Sequence, residues 1–148
     1  MSGTGLRVAL RQTTSADAEY CFRLHEGTLG PYVEEIWGWD EAEQRARFGF
    51  EPGRTQIITA DGVDAGSLIV ETWPEAVYLG RIEVHPAYQS RGIGGHVVRT
   101  LLAEAAGHGL PVVLDVLTVN VRARAFYERL GFVEIGRPAE HKLRLRHG

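Results

Sequence analysis

Between Val77 and Leu117 the spacing of apolar residues changes twice, and these two changes restrict the fold more than any other feature of the chain. Val77–Val84 reads as a strand that stops at His85-Pro86. From Gly92 onward Ile93, Val97, Val98, Leu101, Leu102, Ala105 and Ala106 recur at helical spacing, and Gly107-His108-Gly109 closes the run. Pro111 then opens a nearly continuous apolar stretch, Val112–Leu117, as expected of a strand covered on both faces. A strand–helix–strand unit therefore lies at the centre of the chain.

The flanks add strands and helices around it. Leu6–Arg11 alternates apolar and polar residues, the mark of a half-buried strand. Thr14 or Ser15 can cap a helix whose first turn carries Asp17 and Glu19, where the dipole favours acids. Ala18, Phe22 and His25/Leu29 form its packing face, and Gly30-Pro31 is expected to break it. Tyr32–Phe50 reads as a second helical region. Thr55–Ala60 and Val63–Glu71 are strands joined at Asp61-Gly62, a strong hairpin signal. Trp73-Pro74-Glu75 turns the chain toward Val77. After the central unit, Asn120 can cap a last helix with Ala123, Phe126, Tyr127 and Leu130 on one side and Gly131 at its end. Phe132–Gly136 and His141–Arg146 are two final strands. This order predicts one domain over residues 1–148 of α/β (α+β) class, with a mixed, mostly antiparallel sheet of about seven strands and helices on both faces.

Composition removes several classes of function. The 148 residues are 44% hydrophobic and 24% charged, values of a globular chain long enough for its own core. Nineteen acids against sixteen bases give a formal charge of −3, which argues against bulk attraction to nucleic acid or anionic membrane. Lys142, Arg144 and Arg146 form too small a basic run to change that. The single Cys21 excludes an intramolecular disulfide or a cysteine-cluster zinc site, and no Asp/Glu/His spacing indicates a metal. No apolar run approaches the roughly 18 residues of a membrane span, and Met1–Arg11 does not read as a signal peptide. A cytoplasmic location is the resulting expectation. An edge strand at the C-terminus permits a homodimer without requiring one.

Chemistry concentrates in Val84-His85-Pro86-Ala87-Tyr88-Gln89-Ser90-Arg91-Gly92-Ile93-Gly94-Gly95. A strand enters a loop holding Gln89, Arg91 and three glycines, and a long helix follows at once. Glycines let backbone approach a ligand closely, and first-turn N–H groups lack intrahelical acceptors and sit at the positive end of the dipole. Together they make a phosphate cradle, to which Arg91 adds a formal charge. It is not a P-loop, since His96 rather than Lys follows Gly94-Gly95. It is not the dinucleotide fingerprint, because Val97 stands where a third glycine belongs.

Gln89-Ser90-Arg91-Gly92-Ile93-Gly94 resembles the Gln/Arg-x-x-Gly-x-Gly/Ala pyrophosphate motif of the GNAT superfamily of acyl-CoA-dependent N-acetyltransferases. Ile82–Pro86 is similar to that family's fourth strand, and Asn120–Phe132 to its Asn-x-x-Ala-x-x-Phe-Tyr-x-x-x-Gly-Phe segment. The element order over residues 6–146 agrees as well. The resemblance implies acetyl-CoA as cosubstrate and a splayed gap between the fourth and fifth strands, near Val84 and Leu117, for its pantetheine arm. It places backbone groups of Ile82, Glu83 and Val84 along that arm. Gln89, Arg91, Gly92, Gly94 and Gly95 would lie at the pyrophosphate, with Asn120 and Tyr127 toward the thioester.

Acetyl transfer to a primary amine by direct attack, through a tetrahedral intermediate, needs a base, an oxyanion donor and an acid. Glu83 leads as base, with Glu71, Asp115 or water as alternatives and Arg81 as the obvious local partner of Glu83. The Val84 N–H can polarise the thioester carbonyl. Tyr127 is the candidate acid, although Phe126 and Tyr127 also sit at core spacing. His85 and His96 read as solvated surface residues, and His25 lacks a second ligand at metal spacing. Tyr32, Trp37, Trp39 and Asp40, with Glu34 and Glu35 nearby, mix aromatics and acids in a way that suits a cationic small-molecule or peptide amine. One of the two tryptophans is expected in the core and the other in the groove. Two alternatives stay open: a non-catalytic acyl-CoA-binding regulatory module and, more weakly, a nucleotide-binding protein using the same loop.

Overall fold

A computed structural model describes residues 5–148; the first four residues of the Met1–Arg11 segment lie outside that range. Among the described residues the strands are β1 (Val8–Gln12), β2 (Thr55–Ala60), β3 (Val63–Thr72), β4 (Val77–Val84), β5 (Val112–Leu117), β6 (Val133–Ala139) and β7 (Lys142–His147). The helices are α1 (Ala18–Trp37), α2 (Glu41–Phe48), α3 (Ile93–Gly107) and α4 (Val121–Arg129). The seven strands form one sheet in the order β1-β2-β3-β4-β5-β7-β6. Its pairing is mostly antiparallel, with β4 and β5 parallel from Val77↔Val112 to Leu79↔Leu114. The mixed sheet expected from the element order is therefore present.

The chain divides into two compact units. The first takes in residues up to Ile69 together with Arg81–His96. Its core holds Phe22, Leu24, Ile57, Ile58, Ala65 and Ile93, all buried. Asp61 (φ 51°) and Gly62 (φ 80°) are both left-handed, the conformation a two-residue hairpin needs, and Ala60 pairs with Val63 across it. Thr14 caps a short 3-10 turn, Ser15–Asp17, and Asp17 returns a hydrogen bond from the Thr14 N–H at 2.9 Å.

One boundary in this unit departs from the sequence reading. Gly30-Pro31 does not end the first helix; α1 continues through Pro31 to Trp37. Proline inside a helix forfeits one backbone bond and costs about 3 kcal/mol. Here Val33, on the turn beyond the proline, is buried, and Trp39 folds back to within 3.6 Å of where a Gly30 Cβ would sit. Burying that face offsets the local penalty. Tyr32–Trp37 accordingly belongs to α1, and the second helix shrinks to α2, which begins where the Asp40 carboxylate accepts from the Glu43 N–H at 3.0 Å.

The second unit contains Val70–Gly80 and Val97–Gly148. Leu79, Val98, Val112, Leu114 and Leu145 fill its core, and β5 is buried along nearly its whole length, as its apolar run predicts. Strand β6 extends past Gly136 to Ala139 and includes Pro138, beyond the expected limit. Proline is tolerated because β6 is the last strand in the order, where a missing N–H breaks no ladder on its outer side. No helix among the described residues is long and apolar enough to cross a membrane.

Candidate active site

The bend between β4 and α3 has the local geometry the glycines suggested. Ser90 (φ 62°) and Gly92 (φ 82°) are both left-handed. The first intrahelical bond runs from the His96 N–H to the Gly92 carbonyl at 3.0 Å. The N–H groups of Ile93, Gly94 and Gly95 thus precede the point where intrahelical pairing starts, and two of the three belong to residues without side chains. Arg91 is exposed, with its guanidinium 5.3 Å from the Tyr88 ring centroid. Gln89, expected at the pyrophosphate, is half-buried. Its Nε2 donates to the Val84 carbonyl at 2.9 Å, so it braces the loop against the end of the strand. His85, expected as a surface residue, accepts the Ala87 N–H on its Nδ1 at 3.0 Å and caps the turn Pro86–Tyr88.

The end of β4 lies close against β3. The His85 N–H donates to the Ala65 carbonyl at 2.7 Å. A Cβ on Gly66 would collide with the Glu83 carbonyl oxygen and approach the Val84 Cα to 3.3 Å. Only a residue without a side chain fits there.

Glu83 is 6% exposed, and its partner is not mainly the Arg81 that sequence proximity suggested. His25 on α1 puts its Nδ1 2.7 Å from Glu83 Oε2, whereas Arg81 Nε stands 4.0 Å from Oε1. Oε1 is buried without a hydrogen bond among the described residues. The Arg81 guanidinium instead lies 4.6 Å from the Phe48 ring centroid, and burial pulls it below its ordinary pKa. His25, 8% exposed, packs on Phe48 at 5.2 Å and Trp39 at 6.5 Å between ring centroids. Sequence reasoning weighed His25 only as a metal ligand. Its place on the apolar face with Phe22 was the available signal, because a histidine buried there requires a polar partner.

The remaining carboxylates divide clearly. Asp115 is held by Arg144 (Nε–Oδ1 2.8 Å, Nη2–Oδ2 3.1 Å) and by the Tyr78 hydroxyl at 2.9 Å. Burial pushes its carboxyl up, but the hydrogen bonds from Arg144 and Tyr78 outweigh that and hold it below the usual range. Burial and the same hydrogen bond push the Tyr78 phenol up to about 12. Asp115 is thus a structural ion-pair member. Glu71 is half-buried near the end of β3.

Asn120 caps α4, its Oδ1 accepting the Ala123 N–H at 3.1 Å. Tyr127 is 8% exposed and its ring lies 5.1 Å and 5.5 Å from those of Phe126 and Phe132. Of the expected acceptor residues, Trp37 is 58% exposed and Tyr32 half-buried. Trp39 packs on Phe22, with its Nε1 buried and without a hydrogen bond among the described residues. Trp39 is thus the inward-facing tryptophan and Trp37 the exposed one. Asp40 serves as the cap of α2.

Comparison with known proteins shows the family of the chain. The family model for the acetyltransferase (GNAT) family matches residues 19–132. N-alpha-acetyltransferase RimI of Mycobacterium tuberculosis is 32% identical over 133 residues, spanning 87% of this chain and 80% of that protein. A 55-residue stretch is 40% identical to tRNA(Met) cytidine acetyltransferase TmcA of Nitrosococcus halophilus, but it spans 37% of this chain and only 7% of that much longer relative. The paia N-acetyltransferase of Thermoplasma acidophilum, solved in complex with coenzyme A, superposes with a TM-score of 0.74 at 15% identity, over 95% of this chain and 98% of the other, a likeness of fold. The chain belongs to the GNAT acetyltransferase family.

Proposed function

We propose that this protein transfers an acetyl group from acetyl-CoA to a primary amine, and that the acceptor is a small-molecule or peptide amine. The observation that carries the reading is the bend at residues 89–95, where two left-handed residues lead into a helix start whose first amides are free of intrahelical acceptors. Such a bend fits a diphosphate, and membership of the GNAT family supports the rest. The N-alpha-acetyltransferase activity in the name of the RimI relative favours a peptide α-amine among primary amines.

When bound, acetyl-CoA supplies an acetyl group already activated as a thioester. The backbone amides of Gly92, Gly94 and Gly95, with Arg91, hold its diphosphate, and Gln89 keeps the loop in shape through Val84. Backbone groups of Ile82 and Val84 would orient its arm, and the Val84 N–H is the donor that would polarise the thioester carbonyl. By the family resemblance Asn120 and Tyr127 are assigned to the thioester end. Glu83 is the base, because its Oε1 is a buried carboxylate oxygen without a hydrogen bond among the described residues, whereas both oxygens of Asp115 are engaged. Tyr127 Oη holds the proton that the departing thiol requires. Trp37, Trp39 and Tyr32 shape the acceptor side, and Asp40 contributes by fixing the start of α2. One acetyltransferase domain over residues 1–148 and a cytoplasmic location belong to the same proposal.

Thermal denaturation with acetyl-CoA, CoA, ATP and NAD tests the donor: protection by the first two alone is expected. A panel of amines and free-N-terminus peptides, read by release of free thiol, tests turnover. Protection by acetyl-CoA with no thiol release from any acceptor would favour a regulatory binding module instead.

A further inference from the structure

Glu83 is a carboxylate at a depth where an isolated charge is strongly disfavoured unless donors hold it. It comes from β4, while the group that approaches it comes from α1, 58 residues away in sequence. His25 Nδ1 lies 2.7 Å from Oε2, and the tautomer with its proton on Nδ1 makes this contact an Nδ1–H···Oε2 hydrogen bond. The imidazole cannot swing away, since Phe48 and Trp39 pack against it at 5.2 Å and 6.5 Å. Arg81 on β4 and Cys21 on α1 are the other ionisable groups facing this pair. The second carboxylate oxygen, Oε1, is buried, without a hydrogen bond among the described residues, and 4.0 Å from Arg81 Nε.

We propose that His25 is the positioning residue of the acetyl-transfer reaction: its ring nitrogen anchors Glu83 through Oε2, fixes the orientation of the carboxylate and leaves Oε1 as the atom that takes up the proton. This rests on the reading of Glu83 as base. In the proton step an N–H bond of the acceptor ammonium breaks, an intervening water takes that proton and gives one of its own to the buried Oε1, where an O–H bond forms. The electron pair stays on nitrogen, which becomes the nucleophile, and His25 keeps its proton throughout.

The experiment compares His25→Phe, which keeps an aromatic ring but no donor, with His25→Asn, whose amide nitrogen can occupy the position of Nδ1, and with Glu83→Gln. In thiol-release assays with acetyl-CoA and a free-N-terminus peptide, His25→Phe should lower kcat about 10- to 100-fold with the KM for acetyl-CoA unchanged, the effect of losing one hydrogen bond to a charge. His25→Asn should restore most of the loss. Independently of turnover, nitrogen-15 NMR of the wild-type protein should find His25 Nδ1 protonated at neutral pH, and Glu83→Gln should shift its tautomer toward Nε2–H. An unprotonated Nδ1 in the wild type overturns the proposal, even where His25→Phe fails to fold. A folded His25→Phe protein with wild-type kcat beside an impaired Glu83→Gln overturns it and leaves Glu83 as base. Wild-type kcat in Glu83→Gln removes the base assignment itself, and the role of His25 with it.

Discussion

Replacing Gly66 by alanine adds one methyl group at the most crowded backbone crossing in the first unit. The new Cβ would overlap the Glu83 carbonyl oxygen, with the Val84 Cα at 3.3 Å and the Glu83 carbonyl carbon at 3.4 Å. All three are backbone atoms, so no rotamer change relieves the contact; β3 and the end of β4 must move apart by roughly an ångström to restore ordinary separation. Overpacking of this kind costs about 1–3 kcal/mol. For a chain of this size each kcal/mol lowers Tm by about 2–4 °C, so a drop of roughly 2–12 °C is expected. The same displacement moves Glu83 and the Val84 N–H, and kcat should fall along with stability. Gly27→Ala is the control: it lies inside α1, a Cβ there meets nothing within 4 Å, and it should be neutral or raise Tm. Differential scanning calorimetry and thiol release measure both effects. A Gly66→Ala protein that melts within about one degree of the parent and turns over at the parent rate would refute the crowding argument.

Tyr127→Phe should lower kcat about 100-fold while leaving the affinity for acetyl-CoA unchanged, measured by steady-state kinetics and calorimetry, because only the acid is lost. Asp115 has its carboxyl depressed in the folded state, so it contributes stability above the unfolded value near pH 4 that is lost as pH falls through the folded one. Asp17, depressed mainly by its hydrogen bonds from Arg11, acts in the same direction. Asp115→Asn should therefore lower stability at pH 7 and flatten the acid limb of a urea-denaturation series below about pH 4, where the wild type steepens. Asn120→Ala removes the α4 cap and should cost about 0.5–2 kcal/mol in the same denaturation assay.

Much of the architecture is written in local chemistry. Strands Thr55–Ala60, Val77–Val84 and Val112–Leu117 lie where their apolar patterns put them. The Asp61-Gly62 hairpin and the Thr14 and Asn120 caps follow from turn and capping preferences that act over a few residues. The bend after β4 is legible for the same reason, since glycines and a helix start define it without help from distant chain. These features depend on interactions within one or two turns, so a linear reading reaches them.

Other features arise only when distant segments meet. Pro31 would stop an isolated helix, yet α1 passes through it because the faces around Val33 and Trp39 gain more from burial than the lost bond costs. Arg81 looks like the partner of Glu83 two residues away, but side chains at i and i+2 on a strand compete with whatever α1 brings, and α1 brings His25 to 2.7 Å. Asp115 looks as available as Glu83 until Arg144 and Tyr78 close around it. Gly66 carries no mark in its own neighbourhood; the backbone of Glu83 makes it obligatory. Periodicity and capping are encoded by neighbours along the chain, whereas the partner of a buried charge depends on the other segments that compete for the same low-dielectric space.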